Sequence, residues 1–400
     1  STAWAAHIGR ARELAAGQVR LGPKPEDLSL VLAQMAIASP GVTTLRALAR
    51  IAGGTRALRT LSLRNSAAQV AWSFLHLFNL PEVMALIRGM NGEEPYWRRV
   101  LEYCVDGGLQ PALDEYAHVL RESLGVAGGA SEKIASEVSA VMRRAVGLRT
   151  ASLGLDEIRV DTEQKRIEVD DKRRMRAGFA LRFGEDSTDD GSPSNRPDQV
   201  RDAFNSPFWP FVLATTSVGQ EGLDFHLYCH AVVHWNLPSN PVDLEQREGR
   251  VHRYKGHAIR RNLAQTHGKK AIACGGSEDP WNFMFDGAKE DRPDDATDLV
   301  PYWVYPLVGG AKIERHVPAL PLSRDLQRLE ALKRSLAVYR MVFGQPRQED
   351  LISFLLAHLS AGEATRVATD LRIDLAPPRN RGTVEAVQLP GEWPSAVEVI

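Results

Sequence analysis

The sequence predicts an α/β fold: a parallel-sheet lobe set between a large helical N-terminal region and a mixed, mostly helical C-terminal extension. Three observations predict it. Apolar residues recur at helical spacing through residues 1–145, as in Leu28, Leu32, Met35 and Ala36, and again in Val70, Ala71, Phe74, Leu75 and Leu77. From about residue 170 to 265, short apolar runs alternate with helical stretches, the pattern of a parallel sheet with crossover helices. Further on, Leu326, Leu329, Leu332, Leu336 and Tyr339 line one face of a helix over 323–342.

The N-terminal helices are punctuated by Pro40-Gly41, Gly53-Gly54, Pro81 and Gly107-Gly108, and a helix over Ser131–Arg144 follows the small-residue linker Gly125–Gly129. Residues 149–170 read as a strand pair, with Ile158, Val160, Ile167 and Val169 flanking a polar turn. Phe179–Phe183, Phe211–Thr215 and Ala231–Trp235 are the sheet strands, Asp186–Ser194 is an acidic loop, and Pro197–Phe204 is a helix with proline in its tolerated first turn. After an acidic connection over 274–298, Pro301–Tyr305 reads as a strand, Gln348–Leu359 as a helix, and the chain beyond Pro377 as a loose tail. The domains expected are therefore 1–145, 146–270, 271–376 and 377–400.

The composition is that of a folded soluble chain: 44% hydrophobic, 25% charged, with a formal net charge of -1. That balance makes no bulk electrostatic case for nucleic acid, so any such case rests on local patches. Cys104, Cys229 and Cys274 show neither metal-ligand spacing nor an even count, and read as reduced thiols of a cytoplasmic protein. No apolar run reads as long enough to span a bilayer, so no membrane partner is expected. The chain opens on Ser1, which reads as a fragment or a processed product.

The chemistry concentrates between Phe211 and Asn262. Gln246, Gly249, Arg250 and Arg253 stand at i, i+3, i+4 and i+7, and on a continuous helix they share a face. Two guanidiniums side by side repel unless an anion lies between or opposite them, and their planar fork suits phosphate oxygens. From Gln246 to Lys270, eight Lys/Arg face one acidic residue, a net of +7. This cluster reads either as a phosphate footprint or as two phosphate-directed arginines among solvated neighbours. His226, His230 and His234 straddle a loop and a strand, and no metal site is expected there.

The segment resembles motifs V and VI of superfamily 2 helicases and translocases. Thr216 to Asp224, TSVGQEGLD, looks like the T-x-x-G-x-E-G-L-D loop of motif V. Gln246 to Arg253, QREGRVHR, matches the Q-R-x-G-R-x-x-R of motif VI, and Val232–Pro238 sits where the family has a strand ending in a D/N-x-P turn. Upstream, Phe179–Gly184 and Arg196–Phe204 resemble the strand and helix leading into motif V, whereas a motif IV strand is found at best near Thr150–Ile158. The wording around motif VI is similar to chromatin-remodeller-type and defence-associated translocases more than to DEAD-box enzymes.

What the resemblance implies is the RecA-like C-terminal helicase lobe, about a quarter of the chain. Arg250 and Arg253 are then arginine fingers for ATP hydrolysis, with Gln246, Gly249, Gly222 and Asp224 toward the nucleotide and Thr216 and Ser217 toward the nucleic-acid backbone. ATP and Mg²⁺ are the implied cofactors, held mainly by an N-terminal helicase lobe. The implied track is nucleic acid, with double-stranded DNA leading. No G-x-x-x-x-G-K-[ST] phosphate loop occurs in the sequence, so the chain alone is expected to be inactive. Asp114-Glu115-Tyr116-Ala117-His118 looks superficially like an acidic box, but it falls mid-helix and reads as mostly solvated positions. The alternative reading is a non-catalytic nucleic-acid- or protein-binding module that retains the lobe fold.

Overall fold

The structure, a computed structural model, describes residues 2–19, 22–89, 94–148, 151–161, 166–177, 196–214, 224–273, 276, 278–293, 296, 299–318, 322–341, 356–360, 362–363 and 366–367. The chain divides into two units: Ser1–Ala117 with Arg121–Arg143, and His118–Leu120 with Arg144–Ile400. The expected strand Phe179–Phe183, the loop Asp186–Ser194, Thr216, Ser217 and Gly222, Cys274 and the tail lie outside the described residues.

The first unit is helical: α1 (Thr2–Ala15), α2 (Leu28–Ala38), α3 (Pro40–Ile51), a 3₁₀ turn (Gly54–Arg59), α4 (Leu61–Phe78), α5 (Pro81–Gly89), α6 (Tyr96–Asp106) and most of α7 (Leu109–Ser123) and α8 (Ser131–Val146), whose residues 118–120 and 144–146 belong to the second. Pro40 opens α3 at a position where its missing N–H costs nothing. The hydroxyls of Thr43 and Thr44 bond back to carbonyls at Ser39 and Pro40, which lets both residues be buried. Ala47, Leu48, Val70, Phe74, Leu113 and Tyr116 form the apolar interior. Contrary to expectation, Leu28–Ile51 holds a window of mean hydropathy 1.5, long and apolar enough to cross a membrane by length and composition. The Ser39–Pro40 break disguised it in the sequence. Its α3 half buries Ala47, Leu48 and Ile51 like a core helix, while α2 leaves Leu30, Leu32, Met35 and Ile37 exposed.

The Asp114–His118 stretch does lie mid-helix in α7, but its outer members are not solvated. Asp114 and His118 are buried, and only Glu115 is partly exposed. Partners account for this. Arg50 forms an ion pair with Asp114, Gln110 donates to the same carboxylate at 3.0 Å, and His118 bonds to Asp279.

In the second unit, β1 (Ala151–Asp161) and β2 (Arg166–Ala177) are antiparallel, with Ile158 opposite Val169 and Val160 opposite Ile167. Helix α9 (Arg196–Phe204) follows, and its Val200 and Ala203 pack with Leu148, Trp209 and Leu213. Then come β3 (Ala231–Val233), α10 (Pro241–Gly249), α11 (His257–Ala273), α12 (Pro280–Glu290), β4 (Glu314–His316) and α13 (Asp325–Met341). β3 and β4 pair in parallel, a small parallel sheet in a largely helical surround.

Two expected strands differ. Phe211–Ala214 is not hydrogen-bonded into a strand among the described residues. Pro301–Tyr305 is not a strand either: Trp303 and Val304 both donate their amides to Leu299, winding the chain into turns. The actual partner of β3, Glu314–His316, is wholly polar and carries no alternation signal.

The expected apolar face of α13 is real where it meets α10. Leu332 and Leu336 close over Leu237 and Leu244, flanked by Leu329, Tyr339 and Val317. Leu244 is fully buried there. Leu244→Ala should lower stability by about 2–5 kcal/mol, the usual cost of a buried leucine deletion that leaves a cavity. Chemical denaturation checks this, and a change below about 1 kcal/mol would contradict the packing of α10 on α13.

Candidate functional site

Helix α10 carries the first half of the Q-R-x-G-R-x-x-R segment. Asn240 caps its N-terminus, its Oδ1 accepting the Asp243 amide at 2.8 Å, and Pro241 takes the first helical position. The other end is fixed by Glu248. Its Oε1 accepts from His234 Nε2 at 3.1 Å and from Arg315 Nε, and its Oε2 accepts from Arg315 Nη2 at 2.6 Å. His234 follows β3 and Arg315 lies in β4, so one carboxylate ties the helix to both strands. The backbone repeats the link, His234 N donating to His316 O at 2.9 Å. Burial pushes the Glu248 carboxyl up, but the His234 and Arg315 hydrogen bonds and the Arg315 charge outweigh it and hold it down to about 2.

The helix stops at Gly249, which corrects the expectation that Gln246, Gly249, Arg250 and Arg253 share one helical face. Glycine is a poor helix residue, and Val251 and His252 fold back to donate to Glu248 O. Arg250 is partly buried at the cap, whereas Arg253 lies beyond the helix and is exposed. Arg253 instead meets Asp224: Nη2 stands 3.4 Å from Oδ1. Phe225 N donates to Arg250 O at 3.2 Å, and Asn205 Nδ2 donates to Asp224 O at 2.8 Å. The end of the first motif and the end of the second are thus brought together by backbone and side chain alike.

Gln246 is exposed. A β-carbon at Gly249 would meet nothing within 4 Å, so the chain's own packing does not require glycine there. Burial, with the Arg260 and Arg253 charges added, holds nearby His226 below the ordinary histidine range against the opposing pull of Asp224.

Residues not singled out in the sequence hold this arrangement. Arg260, on α11, is fully buried. Its Nη1 donates to Lys255 O at 2.7 Å and its Nη2 to Leu227 O, while the guanidinium lies 5.1 Å from the Tyr228 ring centroid. Lys255 is also buried, and its amide donates to Tyr302 O at 2.7 Å. Two of the eight cations counted toward a basic surface are therefore interior and structural. Only their buried backbone partners reveal this, and sequence spacing carries no such signal. Arg253, Arg261, Lys269 and Lys270 remain exposed.

Glu248 gives a pH-dependent expectation. Because its folded-state pKa is held below the ordinary 4.5 at about 2, the stability it contributes is present above pH 4.5 and lost as pH falls through about 2. Glu248→Gln should melt below the wild type at neutral pH, and the gap should narrow as pH drops through that window. A gap independent of pH would exclude the charged carboxylate as its source.

Comparison with curated proteins and with solved structures gives no match. Residues 169–255, from within β2 to Lys255, match the family described as helicase conserved C-terminal domain. This is the stretch in which Asp224, the Glu248 anchor, Arg250 and Arg253 converge, and the chain therefore carries a helicase C-terminal lobe.

Proposed function

We propose that this chain is the second motor lobe of an ATP-dependent nucleic-acid helicase or translocase of superfamily 2. The observation that carries the reading is the pairing of Arg253 with Asp224 inside the helicase-family segment. Both side chains are about half exposed, 47% and 58%, and such a pair is worth at most about 1 kcal/mol. An incoming phosphate can therefore displace Asp224 from the guanidinium at little cost.

Arg250 and Arg253 act as arginine fingers on ATP held mainly by an N-terminal lobe, together with Mg²⁺. The open space around Gly249 fits close approach of a nucleotide, which Gln246 and Asp224, and by motif resemblance Gly222, help to bind. ATP supplies the phosphoryl group whose transfer drives the motor. This chain's arginines contribute positive charge where negative charge develops, and they lose that role when the lobes part. By their resemblance to motif V, Thr216 and Ser217 serve the nucleic-acid backbone, and double-stranded DNA is the leading track.

In the complete enzyme, Arg250→Ala and Arg253→Ala should each lower ATP turnover by roughly 10³–10⁵-fold, with nucleic-acid affinity changed only a few-fold. Steady-state ATPase and equilibrium binding measure the two effects. Full nucleic-acid-stimulated turnover in both variants would sink the finger assignment. The 400-residue chain by itself should not turn over ATP, since its sequence contains no phosphate loop. Robust turnover by the purified chain would overturn that expectation.

A further inference from the structure

We infer that Lys255, held by a buried chain through His118 to Asp279, is the positioning residue that fixes Arg253. This rests on the reading of Arg253 as a phosphate-directed finger. Gly256 N donates to Arg253 O at 3.0 Å, closing a turn over Arg253–Gly256. Lys255 sits inside that turn at φ 49°, a left-handed conformation that residues with a β-carbon avoid. Something other than local preference must hold it.

The side chain provides the hold. Lys255 Nζ stands 3.4 Å from His118 Nε2, and His118 Nδ1 stands 2.7 Å from Asp279 Oδ2. All three residues are buried within the second unit, to which residues 118–120 belong. An ammonium only donates and a carboxylate only accepts, so His118 carries its proton on Nδ1 and offers the Nε2 lone pair to Lys255. The Lys255 ammonium also lies 4.0 Å from the Phe285 ring centroid, with Tyr254 and Tyr302 at 5.6 and 5.7 Å. His118 stacks on Phe285 with centroids 5.9 Å apart. Asp279 is fixed in turn as the N-cap of α12, accepting the Trp281 amide at 3.0 Å.

An exposed lysine would leave this turn to its backbone bonds, Lys255 N to Tyr302 O and Arg260 Nη1 to Lys255 O. A caged one, two residues after Arg253, confines the backbone from which the guanidinium projects.

Two measurements test the anchor. In this chain, Lys255→Met keeps the stem and removes the ammonium, while Asp279→Asn keeps a capping side chain and removes the charge. Hydrogen exchange of the Lys255 and Gly256 amides should accelerate by about tenfold or more in Lys255→Met, and in the same direction in Asp279→Asn. Exchange in α10 should stay at the wild-type rate in both. Unchanged exchange at the turn, or equal acceleration across the whole unit in both variants, overturns the inference.

In the complete enzyme, Lys255→Met should lower kcat, and the double variant with Arg253→Ala should be no slower than Arg253→Ala alone. A purely structural defect would instead add to the loss. Full activity of Lys255→Met beside an inactive Arg253→Ala overturns the anchor and spares the finger. Full activity of Arg253→Ala overturns the finger, and the exchange result then judges the anchor by itself.

Discussion

One ionised carboxylate, that of Glu248, ties the described helicase-family segment to the chain beyond it. β3 and β4 are each three residues long, and a parallel pair so short does not hold itself together. Val233 and all of β4 are exposed, so little apolar burial compensates. By accepting from His234 beside β3 and Arg315 in β4, Glu248 clamps both strands to the end of α10. The same contact fixes the point from which Arg250 and the following turn leave the helix. Because the donors outweigh burial, the carboxyl stays charged, and a charged acceptor forms stronger hydrogen bonds than a neutral one.

Helix α11 performs for the loops what Glu248 performs for the strands. Arg260 donates to the carbonyls of Leu227 and Lys255, joining the segment after Asp224 to the turn after Arg253. Two positions on, Asn262 donates to the carbonyls of Tyr305 and Ala311 and accepts the Ala311 amide. The fit leaves room only for glycine at 310, where a β-carbon would come within 2.5 Å of Asn262 Oδ1. Loops need their backbone groups satisfied if they are to approach the interior. Here buried side chains of one helix satisfy them, and irregular chain becomes as fixed as a sheet would be.

How much of this was legible in the sequence depends on what kind of signal each feature leaves. The β1–β2 pair, α9, β3 and the apolar face of α13 from Leu329 to Tyr339 follow local rules of spacing, and they are found where those rules put them, although Leu326 of the same expected face is exposed. The resemblance to motifs V and VI rests on residue identities around Asp224, Arg250 and Arg253, which are local too. β4 was missed because Glu314-Arg315-His316 has no apolar alternation and pairs only through a distant partner. The end of α10 was misplaced because helical periodicity continues through Arg253 on paper, whereas the backbone turns back onto Glu248. Asp114 and His118 read as solvated, and Lys255 and Arg260 as part of a basic cluster, because charge ordinarily means surface. Their burial depends on partners 64 to 161 positions away for Asp114 and His118, and no local pattern announces such a pairing.

The alternation of burial along the motif explains why a turn, and not a continued helix, carries the outer arginine. Val251 is buried, His252, Arg253 and Tyr254 are exposed, and Lys255 and Gly256 are buried again. The exposed triplet is thus pinned on both sides within a few residues. A side chain on a free loop loses conformational entropy when it meets its ligand, and that loss subtracts from any electrostatic gain. Pinning both flanks places most of that ordering in the folding of the lobe, before any ligand arrives. The turn keeps the guanidinium ordered and brings it to the end of the neighbouring motif, where the proposed chemistry requires it.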